Sequence, residues 1–392
     1  MSERLHILVL CYEYPPVGGG GGVGASQYAE AWAAAGHRVT VLTSGTTALP
    51  IEEESGGLRV VRLRVSGRKE RATATNRAML GYLVAGAGWI AGHRDEFRDL
   101  DVINTHFAIP TGPLGAFASH VLDAPNVLTI IGGDIYDPSK SSSPHRHLWS
   151  RIANRWLVGH ADEVIAISSD TRDRARRYYG IERPIQVIPY GFSPPEDGEP
   201  STDGEPLSTT ADDFRLMAVG RLVPRKGFDH LLRALAELPP NVRLEVVGDG
   251  PLAEPLRRQA TELGISDRVS WPGFLPRPEI LRRLRRSDCF VLSSLHEGLG
   301  IVVQEAMHAG LPVVATDNGG QVDLVSHETT GLLVPVADPA ALAAAVRRLM
   351  DDPDSREAMG RRGRERIAEL AMPQNARQVA GVLRAAIGAA AG

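Results

Sequence analysis

Short apolar runs and helix-forming segments alternate along almost the whole chain of 392 residues. The beginning is explicit: an apolar run at 5–12, an alanine-rich stretch that predicts a helix over 25–36, and a second apolar run at 38–44. Strand, helix and strand in this order are the repeating unit of a parallel sheet. Strand-like runs recur at 101–106, 126–134, 163–168 and 185–191. The first half therefore predicts one open α/β layer.

A polar segment separates this layer from a second one. Residues 193–213 are rich in Pro, Gly, Ser, Thr and acids, and Leu207 is their only large apolar residue. Such a composition cannot nucleate a core, so it predicts a flexible linker. Strands and helices alternate again after it. We expect two doubly wound domains, 1–192 and 214–372, with ligands bound at the carboxyl ends of the strands in a cleft between the domains.

Composition excludes several classes of protein. The net charge is −4, and the basic residues occur in short clusters, so neither nucleic acid nor an anionic membrane is expected to attract the chain in bulk. Cys11 and Cys289 lie in apolar runs, which indicates buried thiols and a reducing compartment. The N-terminal apolar run is brief and is followed by Glu13 and two prolines, unlike a secretory signal. A cytoplasmic location is expected.

Residues 78–92 are the strongest membrane candidate in the sequence. They fall short of the roughly 20 apolar residues that a spanning helix needs, and they include four glycines. A buried helix is the favoured interpretation. Arg68, Lys69, Arg71 and Arg77 lie just upstream, so a peripheral contact through residues 68–92 at the inner membrane face stays open as the alternative.

The glycine run at 18–22 follows the first strand. Gly19, Gly21 and Gly24 match G-x-G-x-x-G, but Pro15 and Pro16 separate them from the strand, and the second strand ends without an acid to bind a ribose. These features argue against a dinucleotide-binding fingerprint. A loop whose N–H groups approach an anion at the next helix is one interpretation, and a merely flexible loop is the other.

Two charged groups in the second half are candidates for binding a nucleotide. Arg221 and Lys226 follow a buried strand, where two cations suit a diphosphate, although a basic loop is more often solvated surface. Glu297 and Glu305 have seven residues between them. Glu305 lies in a predicted helix and could accept hydrogen bonds from vicinal ribose hydroxyls, while N–H groups of residues 298–301 face phosphate oxygens. Either glutamate alone is equally typical of a solvated helix end.

Metal ligands are not indicated by the spacing of His, Cys, Asp and Glu. His145 and His147 have no suitably spaced acid or cysteine partner, and Asp352 and Asp354 are typical of a capping turn. His106 ends a strand and precedes a proline turn, where either a cleft residue or a core histidine is found. We expect no metal and no cofactor.

Read together, the motifs resemble retaining glycosyltransferases of family four, which have the two-domain GT-B fold. The resemblance rests on "YEYPPVGGGGG", "NTHFAIPTG", "GRLVPRKG", "GFLPRPEI" and above all "HEGLGIVVQEAMHAGLPVVAT". It implies transfer of a sugar from a UDP- or GDP-linked donor, as a co-substrate, to a small-molecule or lipid-linked acceptor. It also implies front-face substitution with retention and without a metal. Neither the sugar nor the oligomeric state can be read from these residues.

The resemblance also assigns roles to individual residues. Glu305 would bind the ribose, Glu297 would position the transferred sugar, and His106 would contact that sugar near the reacting carbon. Phe274 and Leu275 would lie against the base, Asp134 is the candidate on the acceptor side, and helix 373–392 would pack back on the N-terminal domain. The residues expected to bind the donor diphosphate are Gly19, Gly20, Gly21, Gly22, Arg221, Lys226, Gly298, Leu299, Gly300 and Ile301.

Three other functions compete with this interpretation. One is a sugar-nucleotide epimerase of the same fold, against which the basic loop and the paired glutamates argue. Another is a non-catalytic nucleotide-sugar-binding protein, and the third is a nicotinamide-dependent reductase. Release of nucleotide from a nucleotide sugar separates the transferase from a non-catalytic binder, and absence of NAD(P)H binding removes the reductase.

Overall fold

The structure is a computed structural model that describes residues 4–46, 48–65, 75–194 and 212–390. It forms two compact units, 1–191 with 371–392 and 192–370. Most of the predicted linker, residues 195–211, lies outside the described residues, as do Arg68, Lys69 and Arg71.

The first unit is built on one eight-stranded sheet in the order β3-β4-β2-β1-β5-β6-β7-β8. Its neighbours pair in parallel except β3, which pairs antiparallel with β4 in a hairpin that the sequence did not predict. The central strands β1, β2, β5, β6 and β7 are almost wholly buried because helices cover both faces, whereas β3 at the edge is exposed. The elements are β1 (His6–Cys11), α1 (Gly20–Ala34), β2 (Arg38–Gly45), β3 (Glu52–Ser55), β4 (Leu58–Arg64), α2 (Asn76–Gly92), β5 (Val102–His106), α3 (Gly112–Leu122), β6 (Asn126–Ile130), α4 (Leu148–His160), β7 (Glu163–Ala166), α5 (Ser169–Tyr179) and β8 (Gln186–Val187).

Helix α1 corrects the prediction for the glycine run. The sequence predicted a helix over 25–36 after a glycine loop, but α1 begins at Gly20, so most of the run forms the first turn of the helix. Glycine is a poor helix former, which is why the sequence pattern placed the boundary later. Close packing accounts for the difference, because an ideal Cβ on Gly24 would lie 2.6 Å from the ring of Tyr190.

The second unit has a six-stranded sheet in the order β11-β10-β9-β12-β13-β14, in which all neighbours are parallel. This is the doubly wound arrangement that the alternation predicts. Helices α10 and α11 follow the last strand; a helix before the capping turn at Asp352 was expected, whereas α11 was not predicted. The elements are β9 (Phe214–Val219), α6 (Phe228–Glu237), β10 (Val242–Val247), α7 (Ala253–Glu262), β11 (Val269–Gly273), α8 (Arg277–Leu284), β12 (Cys289–Leu292), α9 (Ile301–His308), β13 (Val313–Thr316), β14 (Gly331–Val334), α10 (Pro339–Asp351) and α11 (Pro353–Glu369).

The last helix, α12 (Met372–Ala390), belongs to the first unit. It packs beside α1, where the Trp32 indole donates to the Ala376 carbonyl over 3.0 Å. Asn375 accepts a hydrogen bond from the Tyr28 hydroxyl. These contacts are buried, so the end of the chain contributes to the core of the unit that the beginning of the chain forms.

Helix α2, the membrane candidate of the sequence, packs one face on the sheet. Ala78, Tyr82, Gly86 and Ile90 recur every four residues and are buried, as expected for a helix that lies on a core. Across the ranges that the structure describes, none of the helices has both the length and the apolar character needed to cross a bilayer.

Candidate active site

Two loops of the second unit are held together where adjacent strands end. Strands β9 and β12 are neighbours in the sheet, and the loops that leave them touch. The Leu295 N–H donates to the Arg225 carbonyl over 2.8 Å, and the Ser293 hydroxyl donates to the Lys226 carbonyl over 3.1 Å. Gly227 has φ +60°, and a Cβ there would lie 2.2 Å from the Ser293 carbonyl. The contact therefore requires glycine and brings Lys226 beside Glu297.

Lys226 and Glu297 form a nearly buried ion pair. The Lys226 Nζ lies 2.5 Å from Glu297 Oε2, to which the Ser294 hydroxyl donates over 3.3 Å. Burial lowers the pKa of Lys226, against the attraction of Glu297. Burial also acts to raise the pKa of Glu297, but Lys226 and Arg225 outweigh it and hold that pKa at about 2. Glu297 is therefore ionised at neutral pH.

Arg221 and Lys226 lie on the same loop in different surroundings. The Arg221 side chain is exposed at the start of the loop, whereas that of Lys226 is buried at its end. Arg225 lies between them and is partly buried. The loop thus carries an exposed cation at its start and a buried cation at its end. An anion bound at this loop can contact both of them.

Residues 298–301 form the turn that opens helix α9. Gly300 has φ +93° and caps the helix, and the Val303 N–H donates back to its carbonyl over 2.8 Å. The turn is fixed from outside, because the Gly320 N–H donates to the Glu297 carbonyl over 2.8 Å and the Asn318 amide donates to the Leu295 carbonyl over 2.7 Å. The start of α9 is thereby a rigid set of N–H groups suited to an anion.

Glu305 is paired with an arginine that the sequence analysis did not identify. The Arg277 Nε lies 2.7 Å from Glu305 Oε1, and Glu305 is only 4% exposed. Burial raises the pKa of Glu305, and the Arg277 guanidinium acts against that rise. The two residues are 28 positions apart, and no spacing in the sequence relates them. Arg277 positions the carboxylate that we expect to bind the ribose.

Phe274 and Leu275 lie between strand β11 and helix α8. The Phe274 ring is 80% exposed, whereas Leu275 is buried. Arg277 begins α8 two residues later. The segment predicted to lie against the base is therefore anchored by one apolar side chain and exposes an aromatic ring three residues before Arg277, the partner of Glu305.

His106 ends strand β5 of the first unit and is fully buried. Its Nδ1 lies 3.0 Å from the Tyr190 hydroxyl, and burial lowers its pKa to about 3, so the ring is neutral at pH 7. Within the described ranges, its Nε2 is buried and has no hydrogen-bond partner. An unsatisfied buried nitrogen is costly, so this atom is a candidate for a ligand contact, as are the Tyr14 and Thr43 hydroxyl oxygens among the described residues of the first unit.

The glycine run of the first unit has a carboxylate beside it. The Gly19 N–H donates to Glu13 Oε2 over 2.8 Å. The carboxylate of the chain itself, and not a dissolved anion, therefore satisfies this N–H. An ideal Cβ on Gly22 would lie 2.8 Å from the Glu13 carbonyl, and one on Gly21 would lie 2.8 Å from the Phe107 ring. The run therefore packs tightly, and the sequence analysis missed Glu13 as its partner.

Replacing Gly24 by alanine is expected to destabilise the first unit. The new methyl group would overlap the Tyr190 ring, and such overpacking costs about 1–3 kcal/mol. Gly88, on α2, is a matched control because nothing lies within 4 Å of its ideal Cβ. Gly88→Ala should raise stability by about 0.5–1 kcal/mol. Urea unfolding of both variants measures the difference, and equal midpoints would contradict the packing argument.

Asp134, the acceptor-side candidate, contacts backbone on both of its oxygens. Oδ2 accepts from the Ala108 N–H over 2.6 Å and Oδ1 from the Ile131 N–H over 3.0 Å. Burial raises the pKa of Asp134 to about 6, although these hydrogen bonds oppose the rise. Its observed contacts join the segments that follow β5 and β6, and an acceptor contact remains a prediction.

The charged groups near these loops do not form a metal-binding set. Within the part of the chain that the structure describes, no three His, Cys, Asp or Glu side chains are grouped so that they could hold a metal ion. The loop after β9 carries three cationic side chains, Arg221, Arg225 and Lys226. Positive charge at this site is thus available from the protein itself.

Two family models match consecutive parts of the chain. The model described as glycosyl transferases group 1 matches residues 204–366, and the one described as glycosyl transferase 4-like domain matches residues 19–191. Between them they span most of both units.

Individual relatives agree with these matches. Glycogen synthase of Mycobacterium tuberculosis is 32% identical over 381 residues, which cover 93% of this chain and 90% of the relative. A lipopolysaccharide core biosynthesis glycosyltransferase, LpsD of Rhizobium meliloti, is 38% identical over 204 residues, 52% of this chain and 58% of the relative. The solved structure of sucrose-phosphate synthase from Thermosynechococcus elongatus superimposes with a TM-score of 0.84 at 27% identity, covering 98% of this chain and all of the other.

Proposed function

The chain belongs to the glycosyl transferases group 1 family and is a glycosyltransferase of the GT-B fold, and from this we propose that it transfers a sugar from a UDP- or GDP-linked donor, with retention and without a metal. The observation that carries the proposal is the buried ion pair of Lys226 and Glu297 beside the rigid start of α9. We assign the donor to the second unit and the acceptor to the first.

The donor site follows from the contacts of these residues. Lys226, Arg221 and the N–H groups of residues 298–301 are the proposed diphosphate ligands, and Glu305, positioned by Arg277, is the proposed ribose ligand. The segment of Phe274 and Leu275 is the proposed contact for the base. His106 is the proposed contact for the transferred sugar, because its buried Nε2 is without a partner among the described residues.

The proposed step is a front-face substitution. The bond between the anomeric carbon and the diphosphate oxygen breaks, and its electron pair stays on the phosphate. The acceptor hydroxyl oxygen forms its bond to the same face, and its proton passes to the phosphate oxygen. Lys226 and the start of α9 stabilise the charge that grows on the leaving group. Glu297 orients the sugar and keeps the Lys226 side chain in place, without forming a covalent bond.

The activity test is release of nucleotide from a panel of UDP- and GDP-sugars, with and without acceptor hydroxyl compounds. A thermal-shift screen against UDP, GDP, ADP and dTDP selects the panel. We expect nucleotide release that increases with acceptor, and proton NMR of the product should show the anomeric configuration of the donor. Interconversion of free sugar nucleotides instead would indicate an epimerase, and binding without turnover would indicate a non-catalytic protein.

Independence of metal is tested in the same assay. Since Lys226 and Arg221 supply positive charge where a divalent ion would otherwise act, turnover is expected to be unchanged within about twofold when EDTA replaces Mg²⁺. A large loss of turnover in EDTA that Mg²⁺ or Mn²⁺ restores would contradict this part of the proposal.

The acceptor is proposed to be a small-molecule or lipid-linked compound with a free hydroxyl group. We propose a cytoplasmic location, which fits the two buried cysteine thiols of Cys11 and Cys289. Peripheral contact with the inner membrane face belongs to the same proposal.

A further inference from the structure

Exposed apolar side chains are concentrated on one part of the first unit. Of the nine large hydrophobic side chains that the described residues expose, seven lie on the consecutive helices α2, α3 and α4. Scattered single residues of this kind are ordinary, but a cluster marks an interaction surface. The seven residues, which we call the outer apolar surface, are Leu80, Val84, Phe117, Leu148, Trp149, Ile152 and Trp156.

The three helices cover the same face of the sheet. They connect β4 to β5, β5 to β6 and β6 to β7, and each of these connections runs in the same direction along the strand order. Right-handed crossovers in one direction place their helices on one face. Helix α2 contacts α3, and α3 contacts α4, so the outer apolar surface lies on three adjoining helices.

Helix α4 is amphipathic, with a second apolar side turned outward. Asn154, Leu157 and Val158 face the core, whereas Trp149, at 83% exposure, and Trp156, at 49%, face away from it. At 100° per residue, Leu148 and Ile152 fall on the same outward side as the two tryptophans. A helix that only needed to pack on the sheet would carry polar residues at these positions.

The charged side chains within these three helices are all positive. Helices α2, α3 and α4 have 17, 11 and 13 residues, and none of them contains an aspartate or glutamate. Their fixed charges are Arg77, Arg151 and Arg155, in a chain whose net charge is −4. Arg155 Nη1 donates to the Tyr179 carbonyl over 3.2 Å, which holds this cation at the edge of the apolar stripe.

The neighbouring helix extends the positive charge. Helix α5 contacts α4, and Arg176 and Arg177 near its end are exposed. Between residues 146 and 183 there are eight arginines and five acids. Apolar tryptophans edged by arginines are what the interface of an anionic bilayer accepts, since the rings enter the headgroup region and the guanidinium groups meet phosphate.

We propose that the outer apolar surface, with Arg151 and Arg155 at its edge, docks the first unit onto an anionic phospholipid bilayer. The proposed membrane contact is larger than the one that the sequence suggested, which was residues 68–92 alone. Helix α4 lies at the centre of the larger contact. It rests on the peripheral membrane contact of the proposed function, but it depends on a surface of the first unit and not on the transfer reaction. Vesicle binding and nucleotide release can therefore fail independently of each other.

The test is co-sedimentation of the full chain with vesicles of phosphatidylglycerol and phosphatidylcholine, compared with phosphatidylcholine alone. We expect binding to the anionic vesicles that weakens strongly at about 0.5 M salt, where surface charges are screened. Trp149→Ser with Ile152→Ser should lower the partition coefficient about tenfold or more, because both side chains lose apolar burial.

A matched control tests the position of the contact. Ile51 and Ile152 are both 52% exposed, and Ile51 lies outside the three helices, so Ile51→Ser should bind vesicles as the wild type does. Arg151→Gln with Arg155→Gln should lower binding to anionic vesicles about tenfold or more, at roughly 1 kcal/mol for each charge near the surface, and should not affect binding to neutral vesicles.

Three results would overturn the proposal. Absence of vesicle binding by the wild-type chain is the first, and an equal loss of binding in Ile51→Ser and in the Trp149→Ser, Ile152→Ser variant is the second. The third is a wild-type dimer, measured by light scattering without lipid, that Trp149→Ser with Ile152→Ser converts to a monomer, because the surface would then join two copies of this chain. Urea unfolding of each variant verifies that the substituted chains are folded.

Discussion

Lys226→Ala is expected to lower turnover about 10²-fold or more, by analogy with the loss of one oxyanion donor. The side chain that is removed is the buried cation of the proposed diphosphate site, 2.5 Å from Glu297. Its loss withdraws positive charge from the leaving group in the transition state, so kcat at saturating donor should fall more than donor affinity. Steady-state kinetics with the donor that the wild type uses measures both quantities.

Two controls separate this chemical effect from a loss of stability. Removing one member of a buried ion pair typically costs about 3–5 kcal/mol, so Lys226→Met with Glu297→Gln provides a variant in which neither charge is left alone. This double variant should recover stability but not turnover. Arg233→Ala removes a half-exposed cation from α6 of the same unit and should leave kcat unchanged. Normal turnover in a folded Lys226→Met, Glu297→Gln variant would refute the role of the lysine.

Glu305→Ala is expected to weaken binding of the nucleoside diphosphate. Hydrogen bonds to a charged group contribute about 1.5–3 kcal/mol, so the dissociation constant should rise about 10- to 100-fold. The loss of affinity should be specific to the ribose, because the buried carboxylate is the proposed acceptor for the ribose hydroxyl groups. Calorimetry with UDP and GDP measures the change, and unchanged binding by Glu305→Ala would refute the ribose role.

Ligands without the ribose hydroxyls make the second test sharper. Wild-type protein should bind the 2′,3′-dideoxy form of the selected nucleotide less tightly than the natural form, and Glu305→Ala should bind both alike. Arg277→Met should reduce the same discrimination, because Arg277 positions Glu305, while Arg277→Lys should restore part of it. Arg257 lies on α7 of the same unit and is half-exposed, so Arg257→Met is the control that should keep full discrimination.

The sequence was most informative where periodicity and order along the chain carry the information. Alternating strands and helices predicted two α/β layers, and the order of motifs from the basic loop to Glu305 predicted the family. The competition between the helix propensity of glycine and its close packing was harder to predict from the sequence. Helix α1 begins at Gly20 although glycine disfavours helices, and its Gly22 and Gly24 pack so closely against Glu13 and Tyr190 that larger side chains have no room.

Pairs that join distant residues could not be predicted. Lys226 and Glu297 are 71 residues apart and were assigned to the diphosphate and the sugar separately, yet the structure pairs them. Arg277 was not singled out at all, because a single arginine at the start of a helix has no distinguishing neighbours in sequence. Both ion pairs are partly buried, and this burial influences the direction in which the pKa of each group shifts. Burial is a property of the fold, so the sequence does not show it.

The outer apolar surface likewise combines features that the sequence shows with features that only the structure shows. The sequence shows that α2 and α3 are mainly apolar, that α4 is amphipathic and that none of the three contains an acid. It cannot say which side of each helix is turned outward. The chain by itself determined the fold class, the family and the types of residue in the site, since these depend on local pattern. Only the tertiary structure decided which charges meet, which nitrogen of His106 lacks a partner among the described residues and which tryptophans are exposed, since these depend on contacts between residues distant in sequence.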